Sequence, residues 1–406
     1  MGYTGINLGN VKLSNRSAIL KLLNDQGAMS RKDIAMTLGL TPATVTLICT
    51  ELISAGVLCE MGELEEQKRA GRKKVLVGIN YQYRYVLSIS IEAAVTCVAI
   101  SDLKGHCLGQ RTLLTDGAKE PEEFLKSVVD EGKALMWEQG IGRDMVLGVG
   151  VSVPGPVKRR SGVSQAAYRI WSEPVPIGDI LRKYMEYPVI VENNVKAFAE
   201  AELIYGNGRE QENMLFIKWG PGVGSAIIID NRIYDGQNSK TAEIGHYIVE
   251  KNGKLCRCGR KGCLETKVAT HPIAERVREA CSAETMPKLY EMVEGDVERI
   301  QARNIAQWVT ADDPGLWMIL GDIIEEMGRT VVNTITLLAP DKVIIYGEMF
   351  ELPFFEKMFL EVCRTYDPSY RADYIVNTKL SDRIEYIGPL AVVVNELFLL
   401  LGNVED

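Results

Sequence analysis

The sequence predicts an N-terminal winged helix-turn-helix followed by a two-lobed α/β domain. Three observations carry that prediction. Residues 1–80 hold three helical apolar stripes and then two short apolar runs. From Tyr83 onward, buried apolar strands alternate with helices, and Gly-rich or polar loops follow the strand ends. The 406 residues are 46% hydrophobic and 25% charged, a globular composition long enough for two or three domains. The expected boundaries are 1–80 for the head and 81–406 for the body. Within the body, one lobe spans about 81–198 plus the C-terminal helix and the other about 199–385.

In the head, "NRSAILKLLNDQG" places Ile19, Leu20, Leu22 and Leu23 on one helical stripe, which Gly27 stops. "SRKDIAMTLG" starts with Ser30 as N-cap, with Asp33 three positions on as the reciprocal acid of a capping box. "TPATVTLICTELISAG" has Thr41 at the N-cap and Pro42 at the first helical position, where its missing N–H costs nothing. Val45, Ile48, Leu52 and Ile53 are its expected buried face, leaving Thr44, Thr46 and Thr50 outward. "VLCEM" and "KVLVGIN" read as the two strands of the wing.

The helix over 41–55 is the expected recognition helix in a major groove, with Pro42, Ala43, Thr44 and Thr46 as its contacts. It carries no Lys or Arg. Cationic charge gathers instead in "KRAGRKK" (68–74), where Arg69, Gly71, Arg72 and Lys73 suit a flexible finger entering a narrow A·T-rich minor groove. Two blander readings compete: a helical protein-binding module for the head, and a solvated linker for 68–74. The head holds ten basic and seven acidic residues, the remainder 36 and 47. That asymmetry says only where nucleic acid binds, if it binds.

In the body, "YVLSISIEAAVTCVAISDLKG" reads as two adjacent strands and "MVLGVGVSVPGPV" as a strand entering a Pro/Gly loop. "YPVIVENNVKAFAEAELIYG" reads as strand, polar pair and helix; "MLFIKWGPGVGSAIIIDNRIY" as strand, Gly loop and strand; "PDKVIIYGEMF" as a buried strand. No internal repeat or low-complexity tract is visible. No apolar run reaches the ~18 residues that span a bilayer, so no membrane partner is expected. The opening "MGYTGINLGNVKLSN" lacks a charged-then-apolar signal pattern, so the cytoplasm is the expected compartment. Nine cysteines are too sparse for a disulfide scaffold. Cys49, Cys59, Cys97, Cys107, Cys281 and Cys363 are expected as buried small hydrophobes.

Four motifs, "GVGVSVPGPV", "VENNVKAFAEAE", "AEIGH" and "CRCGRKGCLE", stand in the order and spacing of the ROK family, a grouping of sugar kinases with sugar-responsive repressors. With the winged helix in front, the chain resembles the repressor branch over residues 10–400. The resemblance implies an actin/hexokinase-like body. It also implies a sugar pocket lined by Asn193, Asn194, Glu243, His246 and Glu265, with 153–157 as another wall. Carboxylates and amides suit vicinal hydroxyls. The family's kinases open with a strand and Asp-x-Gly-Gly-Thr, where bare backbone N–H groups cradle phosphate; here that stretch is Ser90-Ile91-Glu92-Ala93-Ala94. A carboxylate and a side chain there oppose nucleotide binding. The kinases' Asn-Asp pair is Asn193-Asn194 here, and an amide cannot act as the base. No catalytic residue and no enzyme activity are therefore expected. After the cysteine motif, "ETKVATHPI" departs from the family pattern.

Cys256, Cys258 and Cys263 place three thiolates on one Gly-containing turn, and His246 adds an imidazole. That set closes a tetrahedral shell suited to structural zinc. The competing reading is a reduced thiol cluster without metal. The sequence as a whole points to a sugar-responsive repressor of carbohydrate-utilisation genes, bound to a double-stranded DNA operator as a homodimer or higher homo-oligomer. Two alternatives are an active sugar kinase with a DNA-binding head, and a repressor governed by a protein partner.

Overall fold

A computed structural model describes residues 8–63, 75–208, 211–236 and 241–400. The first segment forms α1 (Leu8–Gln26), β1 (Met29–Ser30), α2 (Arg31–Leu38), α3 (Pro42–Ser54), β2 (Leu58–Glu63) and, after 64–74, β3 (Val75–Ile79). The N-caps Ser30 and Thr41 are as the sequence predicts, but Asp33 does not complete a capping box, because its carboxylate takes the Ser30 hydroxyl rather than the Ser30 N–H. The Ser30 hydroxyl accepts from the Asp33 N–H and donates to the Asp33 carboxylate at 2.7 Å, and Thr41 Oγ1 accepts from the Thr44 N–H. One strand was not foreseen. The two residues of β1 pair with β3, so the wing is a three-stranded antiparallel sheet, β1-β3-β2.

Val45, Ile48, Cys49 and Leu52 bury the inner face of α3. Ile53, expected with them, is only half-buried: Cys49 completes the i, i+3, i+4, i+7 stripe and turns Ile53 to its margin.

The next elements are β4 (Tyr85–Ile91), β5 (Val95–Asp102), β6 (Cys107–Leu114), α4 (Pro121–Glu138), β7 (Val146–Val153), β8 (Val157–Lys158), β9 (Val163–Ser164), α5 (Ile177–Tyr184), β10 (Val189–Asn193) and α6 (Asn194–Tyr205). They build a five-stranded sheet in the order β10-β7-β4-β5-β6. Strand β4 pairs antiparallel with β5 and parallel with β7. All eight residues of β7 are buried, as expected of a strand covered on both faces. Leu87, Ile89, Val98, Val149 and Val151 pack with Phe124, Val128 and Leu181 from α4 and α5.

A second compact unit covers 210–381. It contains β11 (Met214–Trp219), β12 (Val223–Ile229), β13 (Arg232–Ile233), α7 (Glu265–Val268), α8 (Thr270–Ala280), α9 (Pro287–Met292), α10 (Ile305–Trp308), α11 (Pro314–Leu338), β14 (Lys342–Tyr346), α12 (Pro353–Tyr366) and β15 (Ile375–Asn377). Its sheet order is β13-β12-β11-β14-β15. Strand β11 pairs antiparallel with β12 and parallel with β14, the pattern of the first sheet. No repeat was legible in the sequence, yet the two sheets repeat one topology. Trp219 centres this core, edge-on to Phe350 and Phe355, its indole N–H donating to Val268 O at 2.7 Å.

The chain then rejoins the first unit through α13 (Ile387–Val393), which widens into π-helix over Val394–Leu400. Helix α13 packs on α6, β7 and β4, and its continuation packs on α1 of the head. Of the six scattered cysteines, Cys49, Cys97, Cys281 and Cys363 are buried, but Cys59 is half-buried and Cys107 exposed. Cys107 opens β6, an edge strand whose alternate residues face outward. No helix of the described residues is long and apolar enough to cross a membrane.

The closure of α13 on β7 depends on Gly150. A Cβ there would meet Pro389 O at 1.9 Å and its carbonyl carbon at 2.7 Å, both backbone atoms. Gly150→Ala is expected to lower stability by about 3 kcal/mol or more, because backbone rather than a side-chain tip must move. Urea unfolding followed by tryptophan fluorescence checks it.

Candidate functional site

The predicted site residues fall into three groups. The first is the thiol loop of the second unit. Its hairpin is drawn by backbone bonds: Cys256 N–H to Arg260 O at 2.7 Å, Gly259 N–H to Cys256 O at 2.9 Å, and Gly262 N–H to Lys254 O at 3.0 Å. Gly262 has φ 74°, and a Cβ there would lie 1.8 Å from Glu250 O, so only glycine fits.

The loop gathers His246, Cys256, Cys258 and Cys263, whose ligand atoms all lie within 4.8 Å of one another. His246 Nδ1 is 3.6 Å from Cys256 Sγ, and Cys258 Sγ is 3.6 Å from Cys263 Sγ. A disulfide would hold the sulfurs at about 2.05 Å. A tetrahedral ion with thiolate bonds of about 2.3 Å sets sulfurs about 3.8 Å apart and nitrogen about 3.6 Å from sulfur. The cluster fits a metal ion.

Burial pushes the Cys263 thiol up to about 12 and raises Cys256 as well. Burial also opposes the Cys258 thiolate, but hydrogen bonds from Arg260 and the neighbouring cysteines outweigh it and bring Cys258 down to about 7. A thiolate is therefore most accessible at the exposed member of the set.

Glu243 precedes the turn Ile244–His246, and Glu265 opens α7. The Glu265 carboxylate lies over Gly222 and Gly245, where a Cβ would meet Oε2 at 3.5 and 3.3 Å. Arg257, from inside the thiol loop, pairs with it at 2.5 Å. That pair ties a predicted sugar contact to the thiol loop, and its one trace in the sequence is an Arg among cysteines.

The second group lies in the first unit. Asn193 is the N-cap of α6: Oδ1 accepts from the Val195 and Lys196 N–H groups at 2.9 and 3.1 Å, while Nδ2 donates to Gly155 O at 2.9 Å. The amide thus ties the 153–157 loop to the helix start. Asn194 Nδ2 donates to Glu92 Oε1 at 2.7 Å. Two residues expected to differ from the kinase pattern are therefore bonded to each other. An Asp at 194 would face Glu92 with a second carboxylate. The Glu92 N–H is itself committed to Val95 O at 3.0 Å, closing the β4–β5 turn.

Behind Asn193 lies a cluster that sequence reading missed. Arg159 Nη1 donates to Glu192 Oε2 at 3.0 Å and Glu200 Oε1 at 2.5 Å, and its Nε and Nη2 donate to Glu396 Oε2 at 3.2 and 2.9 Å. The Glu192 and Glu200 side chains are 2% and 5% exposed. Burial opposes the guanidinium's charge, but the carboxylates outweigh it and raise Arg159. Burial outweighs the nearby cations at the most buried acid, so ion-pair geometry and titration part company there. Burial, aided by Glu200, pushes Glu192 up to about 7 against the pull of Arg159, the Asn193 N–H and Lys196. Carboxylates 33, 41 and 237 residues from their cation leave no periodic signal.

The third group is the head. Pro42, Ala43 and Thr46 are exposed on α3 and Thr44 is half-buried. The threonine hydroxyls, expected to reach bases, are turned back: Thr46 Oγ1 donates to Pro42 O at 2.7 Å, Thr50 Oγ1 to Thr46 O at 2.8 Å, and Thr44 Oγ1 pairs with Thr41 Oγ1 at 2.8 Å. Leu47, 59% exposed, joins this face. Its position off the Val45–Ile48–Leu52 stripe was the available signal. Glu51 is held below the usual carboxylate range by hydrogen bonds from Lys12 and then Arg16. Arg69, Gly71, Arg72 and Lys73 lie outside the described residues.

Comparison with known proteins fixes the class. Residues 86–395 match the ROK family, and the chain belongs to it. It is 25% identical over 398 residues to a xylose repressor of Caldicellulosiruptor bescii, covering 95% of this chain and 97% of that one. Its fold matches a crystal structure of a ROK family transcriptional regulator, a homologue of the Escherichia coli MLC protein, with TM-score 0.76 and 22% identity over 96% of this chain and 98% of the other. A ROK hexokinase from Thermus thermophilus matches with TM-score 0.63 and 20% identity, over 77% of this chain and 98% of its own.

The raised Glu192 sets a pH dependence. The folded protein keeps a proton that the unfolded chain releases near the ordinary carboxylate value of 4.5. This group's stabilisation is fully present below that value and is lost as pH rises through about 7. Glu192→Gln, which stays neutral, is expected to gain thermal stability relative to the parent between pH 5 and pH 8. Melting curves at both pH values test this; a difference that shrinks toward pH 8 contradicts it.

Proposed function

We propose that this chain is a sugar-responsive transcriptional repressor that has lost kinase chemistry. The observation that carries the reading is the Glu92–Asn194 hydrogen bond: an acid in the phosphate turn and an amide at the base position, each accommodating the other. The near full-length likeness to a xylose repressor, head included, supports it. Asn193, Asn194, Glu243, His246 and Glu265 take the sugar's hydroxyls. The double-stranded DNA operator is bound through α3, whose outward face of Pro42, Ala43, Leu47 and threonine methyls suits thymine methyl groups. Phosphate attraction falls to the cations of 68–74. Binding of paired half-sites calls for a homodimer or higher homo-oligomer.

Zinc is the ion we assign to His246, Cys256, Cys258 and Cys263. When bound it supplies a closed tetrahedral anchor, with no position left to activate water. His246 holds Glu243 through the turn they share, and Arg257 holds Glu265, so the loop sets the spacing of two carboxylates that grip the sugar.

Two outcomes are expected. Purified protein on fluorescein-labelled DNA from upstream of its own coding region should bind by anisotropy. One member of a panel of D-xylose, D-glucose and their phosphates should shift the curve, with no sugar-dependent ADP formed from ATP. ADP formation would instead establish the kinase, and DNA binding that no sugar moves would favour control by a protein partner. Separately, Cys258→Ser should lose its metal by plasma mass spectrometry and weaken sugar binding by about tenfold or more. A metal-free variant with unchanged sugar affinity would sink the link between loop and pocket.

A further inference from the structure

We propose that Arg159 is a positioning residue that couples effector binding at Asn193 and Asn194 to the helical head, acting through Glu396. The proposal rests on the effector reading above and names how that site is read out.

The geometry is a closed circuit with one exit. The Asn193 N–H donates to Glu192 Oε1 at 2.7 Å, and the other oxygen of Glu192 accepts from Arg159. Arg159 follows β8, which leaves the 153–157 loop, and Gly155 of that loop accepts from Asn193 Nδ2. A displacement of Asn193 by a ligand therefore reaches Arg159 both through Glu192 and through the loop. Glu200, from the middle of α6, fixes the guanidinium on its third side.

The exit is Glu396. It lies on the π-helical stretch Val394–Leu400, which packs on α1 of the head. Helix α6 meets the same helix at its far end, where buried Asn24 of α1 donates from Nδ2 to Ile204 O at 3.3 Å. The head thus touches both the helix that begins at Asn193 and the segment gripped by Arg159. Stability alone is a poor reason for the cluster, because buried ion pairs recover their desolvation cost only with good geometry and are often replaceable by apolar groups. Fixing one of two arrangements is their better-attested use, and a π-helical segment is a common place for it.

The test uses the full-length protein and a labelled duplex recovered by it from a random-sequence library. The coupling factor is the ratio of DNA Kd with and without the sugar that gives the largest shift among D-xylose, D-glucose and their phosphates. Arg159→Met and Glu396→Gln should keep sugar affinity, measured by calorimetry, while a coupling factor of about fivefold or more in the parent falls toward one. Arg159→Lys should restore part of it. Glu396 is 44% exposed, so its isosteric variant will fold even if Arg159→Met does not. A parent factor of one for every sugar overturns the effector reading and this proposal with it. A parent factor above one that the variants leave unchanged overturns the Arg159 link alone. Parallel loss of sugar affinity in Glu396→Gln makes the cluster a pocket wall and also overturns it.

Discussion

The return of the chain to the first sheet is the constraint on which the rest of that unit depends. Helix α13 lies against β7, β4 and α6 at a distance that only Gly150 permits, with Gly388 meeting the backbone of α6 at Ala197 and Phe198. This packing closes the apolar layer behind β7. It also delivers Val394–Leu400 to α1, so the helical head rests on this C-terminal helical segment. The three carboxylates on Arg159 are brought together by the same closure. Glu192 ends a strand, Glu200 rides on α6, and Glu396 arrives only with the C-terminal helix.

Glu92 and Asn194 are coupled rather than independent. Glu92 brings a carboxylate to the β4–β5 turn, and Asn194 supplies an amide hydrogen that an Asp could not. Asn194→Asp would set two acids against each other. Asn193 is drawn into structure in the same way, since its oxygen caps α6 and its nitrogen holds Gly155. Both amides are thereby held in a fixed orientation.

The thiol loop shows why some sites are readable. Its ligands are close in sequence, its turn needs glycine at Gly262, and Cys-x-Cys-x4-Cys has few other uses. The caps at Ser30 and Thr41, the Pro42 helix start and strands β4, β5, β7, β10, β11, β12 and β14 were legible for the same reason: each is set by neighbours within a few residues, whereas β6, β13 and β15 were not read. The repeat of sheet topology was not legible. Pairing order is carried by backbone bonds and needs only apolar residues at matching positions, so β4–β5–β6–β7–β10 and β11–β12–β13–β14–β15 share an arrangement without sharing a motif.

By itself, then, the sequence determined most of the elements, the N-caps and the thiol loop, because each is a local pattern. The tertiary structure decided which side chains meet. It put Asn194 on Glu92, Arg257 on Glu265 and Arg159 on acids up to 237 residues away, and it left Leu47 outside the core. Such pairings depend on where whole elements pack, and packing responds to the summed shape of many apolar side chains rather than to any one residue's neighbours.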